Sequence, residues 1–300
     1  MNGIYLDSQF DDEARRRAVY AGHLFLFSAR PSTIAFIDHA REMIEESFGA
    51  LDPQVAQESM EVEAYAALLA DLKPRFIHSP RSKESIRDFL VDVGCDPERT
   101  YFDVPRMRTA TSDNYLTSGI AYAFHPHRDS WYSAPLMQQN WWIPIYPVTE
   151  ENVMAFHLEH WDEAVLNGSR DYNYAEWNRT SRQEAAKHVK SDTRKQPKAL
   201  EEVKLEPQIR PVPPPGGALL FSSAQLHSTV PNTSGRTRFS IDFRTVHLDD
   251  VETEAGAHNI DSECTGTSLG DFLKAADMET HLPGDLIGRY DTPPHQAALV

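Results

Sequence analysis

Nine residues, Arg236 to Arg244 (RTRFSIDFR), alternate between polar and apolar side chains. On an extended strand, side chains two apart share a face, whereas a helix repeats its apolar positions three and four apart. The segment is therefore expected to be a strand, with Arg236, Arg238, Ser240, Asp242 and Arg244 on one face. A solvated sheet edge and the wall of a polar pocket both fit such a face. Further strands are expected at Tyr101 to Pro105, Ser118 to Phe124, Gln138 to Tyr146, Val153 to His157, Val203 to Ile209 and Gly217 to Ser222. In the aromatic strand Gln138 to Tyr146, Asn140 and Trp142 share one face and Gln139 and Trp141 the other. The run Pro211 to Gly217 (PVPPPGG) suits neither a helix nor a central strand, because proline lacks the backbone donor and glycine the side chain. It reads as a rigid turn.

Residues from about Asp11 to Val93 carry a helical pattern instead. Helices are expected over Asp38 to Phe48, after a stop at Pro31-Ser32, over Glu58 to Leu72, and from Ser82 to Gly94. They form a helical buttress, residues 1–95, to a strand-rich core at 100–248. The strand rhythm breaks at about 160–202, an insertion of the kind that supplies lids and substrate loops, with Ser181 to Val189 helix-like. A C-terminal extension, 249–300, is acidic and poor in pattern: Ser268 to Met278 suggests a helix and Gly284 to Pro294 a loop. The expected organisation is a single domain over residues 1–300.

The formal net charge of −16 speaks against nucleic-acid binding, which wants a basic stripe. No basic cluster stands out along the chain. Two cysteines, Cys95 and Cys264, do not make a disulfide scaffold and fit a reducing compartment. No run of 18 apolar residues suggests a membrane span, and Met1 to Asp7 does not open like a secretory signal. A cytoplasmic protein whose partner is a small polar metabolite is expected; the oligomeric state is not legible.

The chemistry is carried by Phe124 to Trp131 (FHPHRDSW). If this stretch is extended, His127 and Asp129 point to one face and aim an imidazole and a carboxylate at one point. His125 lies on that face too, but only His127 forms the His-x-Asp pair. Among 13 histidines such a pair arises easily, so a third ligand has to be found. His227, 98 residues after Asp129, is the candidate. Two imidazoles and one carboxylate suit a ferrous ion that keeps open positions. The expected fold is mainly β with flanking helices, its core a double-stranded β-helix (jelly-roll, cupin-like).

In order, His127-Arg128-Asp129-Ser130-Trp131, the strand with Trp141-Trp142 and its turn Thr149 to Asn152, His227, and Arg238 eleven residues later resemble the phytanoyl-CoA dioxygenase-like family of Fe(II)/2-oxoglutarate oxygenases. The resemblance covers about half of the chain. It implies iron ligation by His127, Asp129 and His227, with these as the catalytic residues. It implies that Arg238 binds the far carboxylate of 2-oxoglutarate, with Ser240 as a second donor, Trp142 beside the cosubstrate and Asn140 near its other end. O2 is the implied cosubstrate. Arg128, Trp131, Tyr174 and Trp177 are candidates for substrate contact. Related iron halogenases carry glycine or alanine where Asp129 stands, so the carboxylate implies oxygenation, hydroxylation first. Val153 and His157 to Trp161 depart from the family, which has a glycine and a Pro-Gly-Ser/Thr-His stretch there. Two other readings fit the same residues: a protein side-chain hydroxylase, and a jelly-roll that binds metal or ligand without turnover.

Overall fold

The computed structural model describes residues 2–116, 125–180 and 196–291. The strand expected at 118–124 and the helix expected at 181–189 lie outside these residues. In chain order the elements are β1 (Ile4–Leu6), α1 (Asp12–Tyr20), β2 (Leu24–Phe27), α2 (Pro31–Phe48), α3 (Val62–His78), α4 (Pro80–Asp92), β3 (Thr100–Phe102) and β4 (Arg106–Ala110). They continue with β5 (Gln139–Pro144), β6 (Met154–Phe156), α5 (Tyr174–Thr180), β7 (Ala218–Ser222), β8 (His227–Thr229), β9 (Arg238–His247), α6 (Leu248–Thr253), β10 (Leu273–Lys274) and α7 (Gly284–Asp291).

An eight-stranded sheet runs β1-β2-β7-β5-β9-β3-β10, with β4 also paired to β9, and a second sheet pairs β6 with β8. Between them the two sheets enclose the barrel-like interior of a double-stranded β-helix. The alternation in β9 sorts its side chains. Phe239, Ile241 and Phe243 join the apolar layer under the helices, while Arg238, Ser240, Asp242 and Arg244 face the interior between the sheets. Arg236 lies before the strand and is exposed, so it does not share that wall.

The β5 aromatics divide as expected. Trp141 packs edge-on against Phe89 of α4 at 5.1 Å and stacks on Phe243 at 6.1 Å, and its indole N–H reaches Thr245 Oγ1 at 3.0 Å. Trp142 faces the interior, in a cluster with Val153, Met154, Phe156 and Phe221. A buried ring of this size removes about 150–250 Å² from water, worth about 4–6 kcal/mol at about 25 cal/mol per Å². The helix-facing aromatics therefore fix the sheet, and the sheet positions what its other face carries.

The structure corrects several local expectations. Leu24–Phe27 is not helical: it pairs with β7 inside the main sheet. Pro31 starts α2 instead of stopping a helix, since the first turn needs no proline N–H, and the Thr33 hydroxyl accepts from Arg30 N at 2.9 Å to cap it. Residues Val203 to Ile209 form no strand beyond a single bridge from Ile209 to Phe156. In the C-terminal extension the expected helix is a 3-10 turn (Leu269–Asp271) followed by β10, and the expected loop holds α7. Among the described residues no helix is long and apolar enough to cross a membrane.

Candidate metal centre and ligand cavity

His127 and His227 oppose each other as an antiparallel bridge, each backbone N–H donating to the other's carbonyl at 3.0 Å. Their rings lie 4.4 Å apart between centroids. In both, Nδ1 meets a backbone carbonyl two residues upstream, His125 O at 2.7 Å and Gln225 O at 2.9 Å. That bond puts the proton on Nδ1 and turns the Nε2 lone pair inward, the arrangement a metal requires. His125 is exposed and supplies this carbonyl.

Asp129 is not on a strand, as the sequence suggested, but opens a 3-10 turn, Asp129–Tyr132. The turn brings its carboxylate to the same point. Oδ1 lies 3.4 Å from His127 Nε2 and 4.0 Å from His227 Nε2. Oδ2 is held on the far side by Gln138 Nε2 at 3.4 Å, with Arg244 Nε at 3.9 Å. One oxygen thus faces the imidazoles while the other is restrained. The ligand atoms of His127, Asp129 and His227 all lie within 4.8 Å of one another, compatible with bonds of about 2.0–2.2 Å to a shared ion. Burial alone would raise the Asp129 carboxyl, but the adjoining His127 imidazole and the Arg244 charge hold it well below the usual carboxylate range. Burial, and then His127, push His227 down to about 3, so its imidazole is neutral.

The three residues open into a cavity of about 440 Å³, within the range of small-molecule sites. At one end Arg238, 6% exposed, stands over the Trp142 ring at 5.7 Å and donates from one terminal nitrogen to Asn152 O at 3.1 Å. Among the described residues its Nε is buried with no partner, as are Ser240 Oγ and Asn140 Nδ2. Burial pushes the Arg238 guanidinium down to about 10, against the pull of Asp242. A buried cation beside unanswered donors is costly without an anion, and a carboxylate is the group its planar fork matches. These residues fit the far carboxylate of 2-oxoglutarate.

Arg128 and Trp131 do not line the cavity. Both are buried, at 1% and 0% exposure, and converge on Asp261, through Arg128 Nε at 3.1 Å and Trp131 Nε1 at 2.7 Å. The remaining Arg128 nitrogens bond the carbonyls of Ala224, His160 and Glu163. They brace the turn that presents Asp129 and are not placed for substrate contact. Asp261→Ala would leave a buried guanidinium unpaired, so a loss of about 3–5 kcal/mol in urea unfolding is expected. A loss below about 1 kcal/mol would rule out this bracing. His157, where the family pattern is broken, bonds Ser228 Oγ and Leu205 O at 3.0 Å each and braces β8 from behind.

Sequence reasoning missed the basic residues around this cavity. Lys73, Arg106, Arg108, Arg238 and Arg244 line it against Asp103, Asp129, Asp242 and Asp271, a local excess inside a chain of net charge −16. Asp242 takes Arg108 through both oxygens, at 2.8 and 3.1 Å, and Asp103 takes Arg106 and Arg244. The Arg106-Met107-Arg108 alternation was a readable sign of this wall. Lys73 arrives from α3, and nothing in its helical pattern marks it. Burial, then Arg108, push its amine down to about 7 from 10.5. Between about pH 7 and 10.5 the unfolded chain holds a proton there that the folded protein has lost, so Lys73 makes stability rise with pH in that window. Urea unfolding of the metal-free protein should show this rise and Lys73→Met should flatten it; parallel curves would refute the shift. The C-terminal extension, for which the sequence suggested no chemistry, contributes Ser268, Asp271 and Phe272.

No protein-family model matches the chain, and no curated protein does. Solved structures resemble it distantly. EvdO2 from Micromonospora carbonacea var. aurantiaca is 13% identical with a TM-score of 0.44, over 81% of this chain and 93% of that one. Its complex with 2-oxoglutarate gives 13% and 0.43, over 80% and 92%. The epimerase SnoN, in complex with Fe3+, alpha ketoglutarate and nogalamycin RO, gives 12% and 0.41, over 79% and 85%. Likeness this weak assigns no activity to this chain.

Proposed function

We propose that this protein is an Fe(II)/2-oxoglutarate-dependent oxygenase of the phytanoyl-CoA dioxygenase-like type that oxidises, most simply hydroxylates, a small molecule. The observation that carries the reading is the sharing of one cavity by the His127, Asp129 and His227 ligand set and the buried Arg238, whose unanswered donors suit a dicarboxylate. Either feature alone has other uses.

In this reading His127 and His227 present neutral Nε2 atoms to iron, and Asp129 adds one carboxylate oxygen, its other oxygen held by Gln138 and Arg244. Supplying only three ligands, these residues would leave a bound iron room for further ones. Arg238 and Ser240 hold the far carboxylate of 2-oxoglutarate, Trp142 covers its chain, and Asn140 meets its other end with Nδ2. Gln138 fixes the Asn140 amide by donating to Oδ1 at 2.8 Å. With O2, the bound iron and 2-oxoglutarate supply the oxidising chemistry, yielding succinate and CO2. The protein orients the substrate bond and excludes water. A cavity of about 440 Å³ supports a small-molecule substrate, and the retained Arg238 speaks against a binding module without turnover.

Anaerobic titration of the metal-free protein with Fe(II) and 2-oxoglutarate tests the reading. A visible metal-to-ligand charge-transfer band is expected, absent in His227→Ala. A folded protein that gives no band would sink the proposal.

A further inference from the structure

Arg238, Ser240 and Asn140 account for the orphaned polar atoms at the cosubstrate end. The other end has its own. Among the described residues, Trp177 Nε1 and Ser268 Oγ are buried without hydrogen-bond partners, and both residues line the cavity. They come from α5 and from the C-terminal extension.

Around them stands a continuous aromatic wall that starts at the ligand set. Tyr132 meets the His127 ring edge-on at 5.5 Å and Tyr172 at 5.6 Å; Trp177 follows at 6.4 Å from Tyr172, and Tyr174 stacks with Trp177 at 6.5 Å. The rims are tied down. Tyr132 OH donates to Pro197 O at 2.8 Å, Tyr174 OH to Asp271, and Asn173 Nδ2 to Thr265 Oγ1 at 3.0 Å. Fixed rims leave ring faces and edges as the contact surface. Aromatic walls take cations, sugars or flat rings. Four arginines and Lys73 line the cavity against four carboxylates, so it offers a cation no net negative charge. A sugar needs several donors as well as acceptors, and the Tyr132 and Tyr174 hydroxyl protons are already committed to Pro197 O and Asp271. Among the described residues, the unpartnered buried polar atoms at this end are one indole N–H and one hydroxyl beside a flat aromatic surface.

We infer that the substrate of this site is a planar aromatic molecule, neutral or anionic, with an oxygen on or beside the ring that accepts from Trp177 Nε1 and lies within reach of the Ser268 side. Tyr132, next to His127, then sets how the ring's substituents approach the metal ligands. The inference rests on the oxygenase reading for what happens to the ring, but ring binding needs neither iron nor 2-oxoglutarate.

The test uses that independence. Titrating 2-naphthol into the metal-free protein, followed by its fluorescence, should show saturable binding. Decahydro-2-naphthol, with a similar outline but no π face, and methyl β-glucoside should not compete. Trp177→Leu should weaken 2-naphthol binding about tenfold, and Trp177→Phe, which keeps a ring face and loses only the N–H, about threefold. The phenylalanine variant guards against a folding defect. Equal binding of the saturated alcohol or the glucoside, no saturable 2-naphthol binding, or an unchanged affinity in Trp177→Leu would overturn the inference. If the charge-transfer band fails while 2-naphthol binds as described, the oxygenase reading falls and the aromatic site stands. The reverse outcome separates them the other way.

Discussion

Asp129→Ala is expected to abolish turnover and to weaken Fe(II) binding by more than about 100-fold, since altering groups that merely orient a ligand already costs about 10–100-fold. The loss should be chemical and not structural. Asp129 opens a short turn whose bracing comes from Arg128, Trp131 and Asp261, none of which the substitution touches. The variant should therefore unfold in urea close to the wild-type midpoint, and should fail to develop the charge-transfer band with Fe(II) and 2-oxoglutarate. Asp129→Asn, which keeps the shape and removes the charge, should recover only part of the metal affinity. A variant that binds iron like the wild type would show that the carboxylate is no ligand.

Arg238→Ala should weaken 2-oxoglutarate by about two orders of magnitude, because two charge-assisted hydrogen bonds at about 1.5–3 kcal/mol each are lost, less what water restores. Iron should bind the variant normally, as Arg238 touches none of the three proposed metal ligands. The stability effect has the opposite sign from the usual loss of a buried side chain. In the protein without cosubstrate the Arg238 charge is disfavoured by burial and its Nε is unanswered. Removing it should leave the unliganded protein about as stable or slightly more so, while the stabilisation by 2-oxoglutarate largely disappears. Arg238→Lys keeps the charge without the planar fork and should fall between the two. Thermal unfolding with and without 2-oxoglutarate checks both halves. Equal loss of iron and 2-oxoglutarate, or of neither, would remove Arg238 from the proposed role.

The strand-forming segments were legible because sheet alternation is a local property. Arg238 to Arg244 divides into Phe239, Ile241 and Phe243 against the remaining polar residues whatever surrounds it, and Asn140 and Trp142 separate from Trp141 for the same reason. Leu24 to Phe27 was not legible as a strand, since four apolar residues in a row carry no period and only pairing with β7 made them one. Pro31 reads as a stop in the sequence, whereas it opens α2, where the Thr33 hydroxyl caps the first turn.

By itself the sequence determined the residue types, their order and the faces they share: two imidazoles, a carboxylate and, eleven residues past the second imidazole, an arginine on a polar strand face. It did not determine that the face was buried. That came from the helices on the other side of the sheet and from the second sheet opposite, which turned a face that suited solvent equally well into the wall of a cavity. Nor did it determine that Arg128 and Trp131 serve Asp261, 130 or more residues away, while Tyr132 beside them faces the cavity. Neighbours on a tight turn point in different directions, and their partners were fixed only when the C-terminal extension packed across them. Lys73, Ser268 and Asp271 joined the cavity in the same way, through long-range packing that no local pattern encodes.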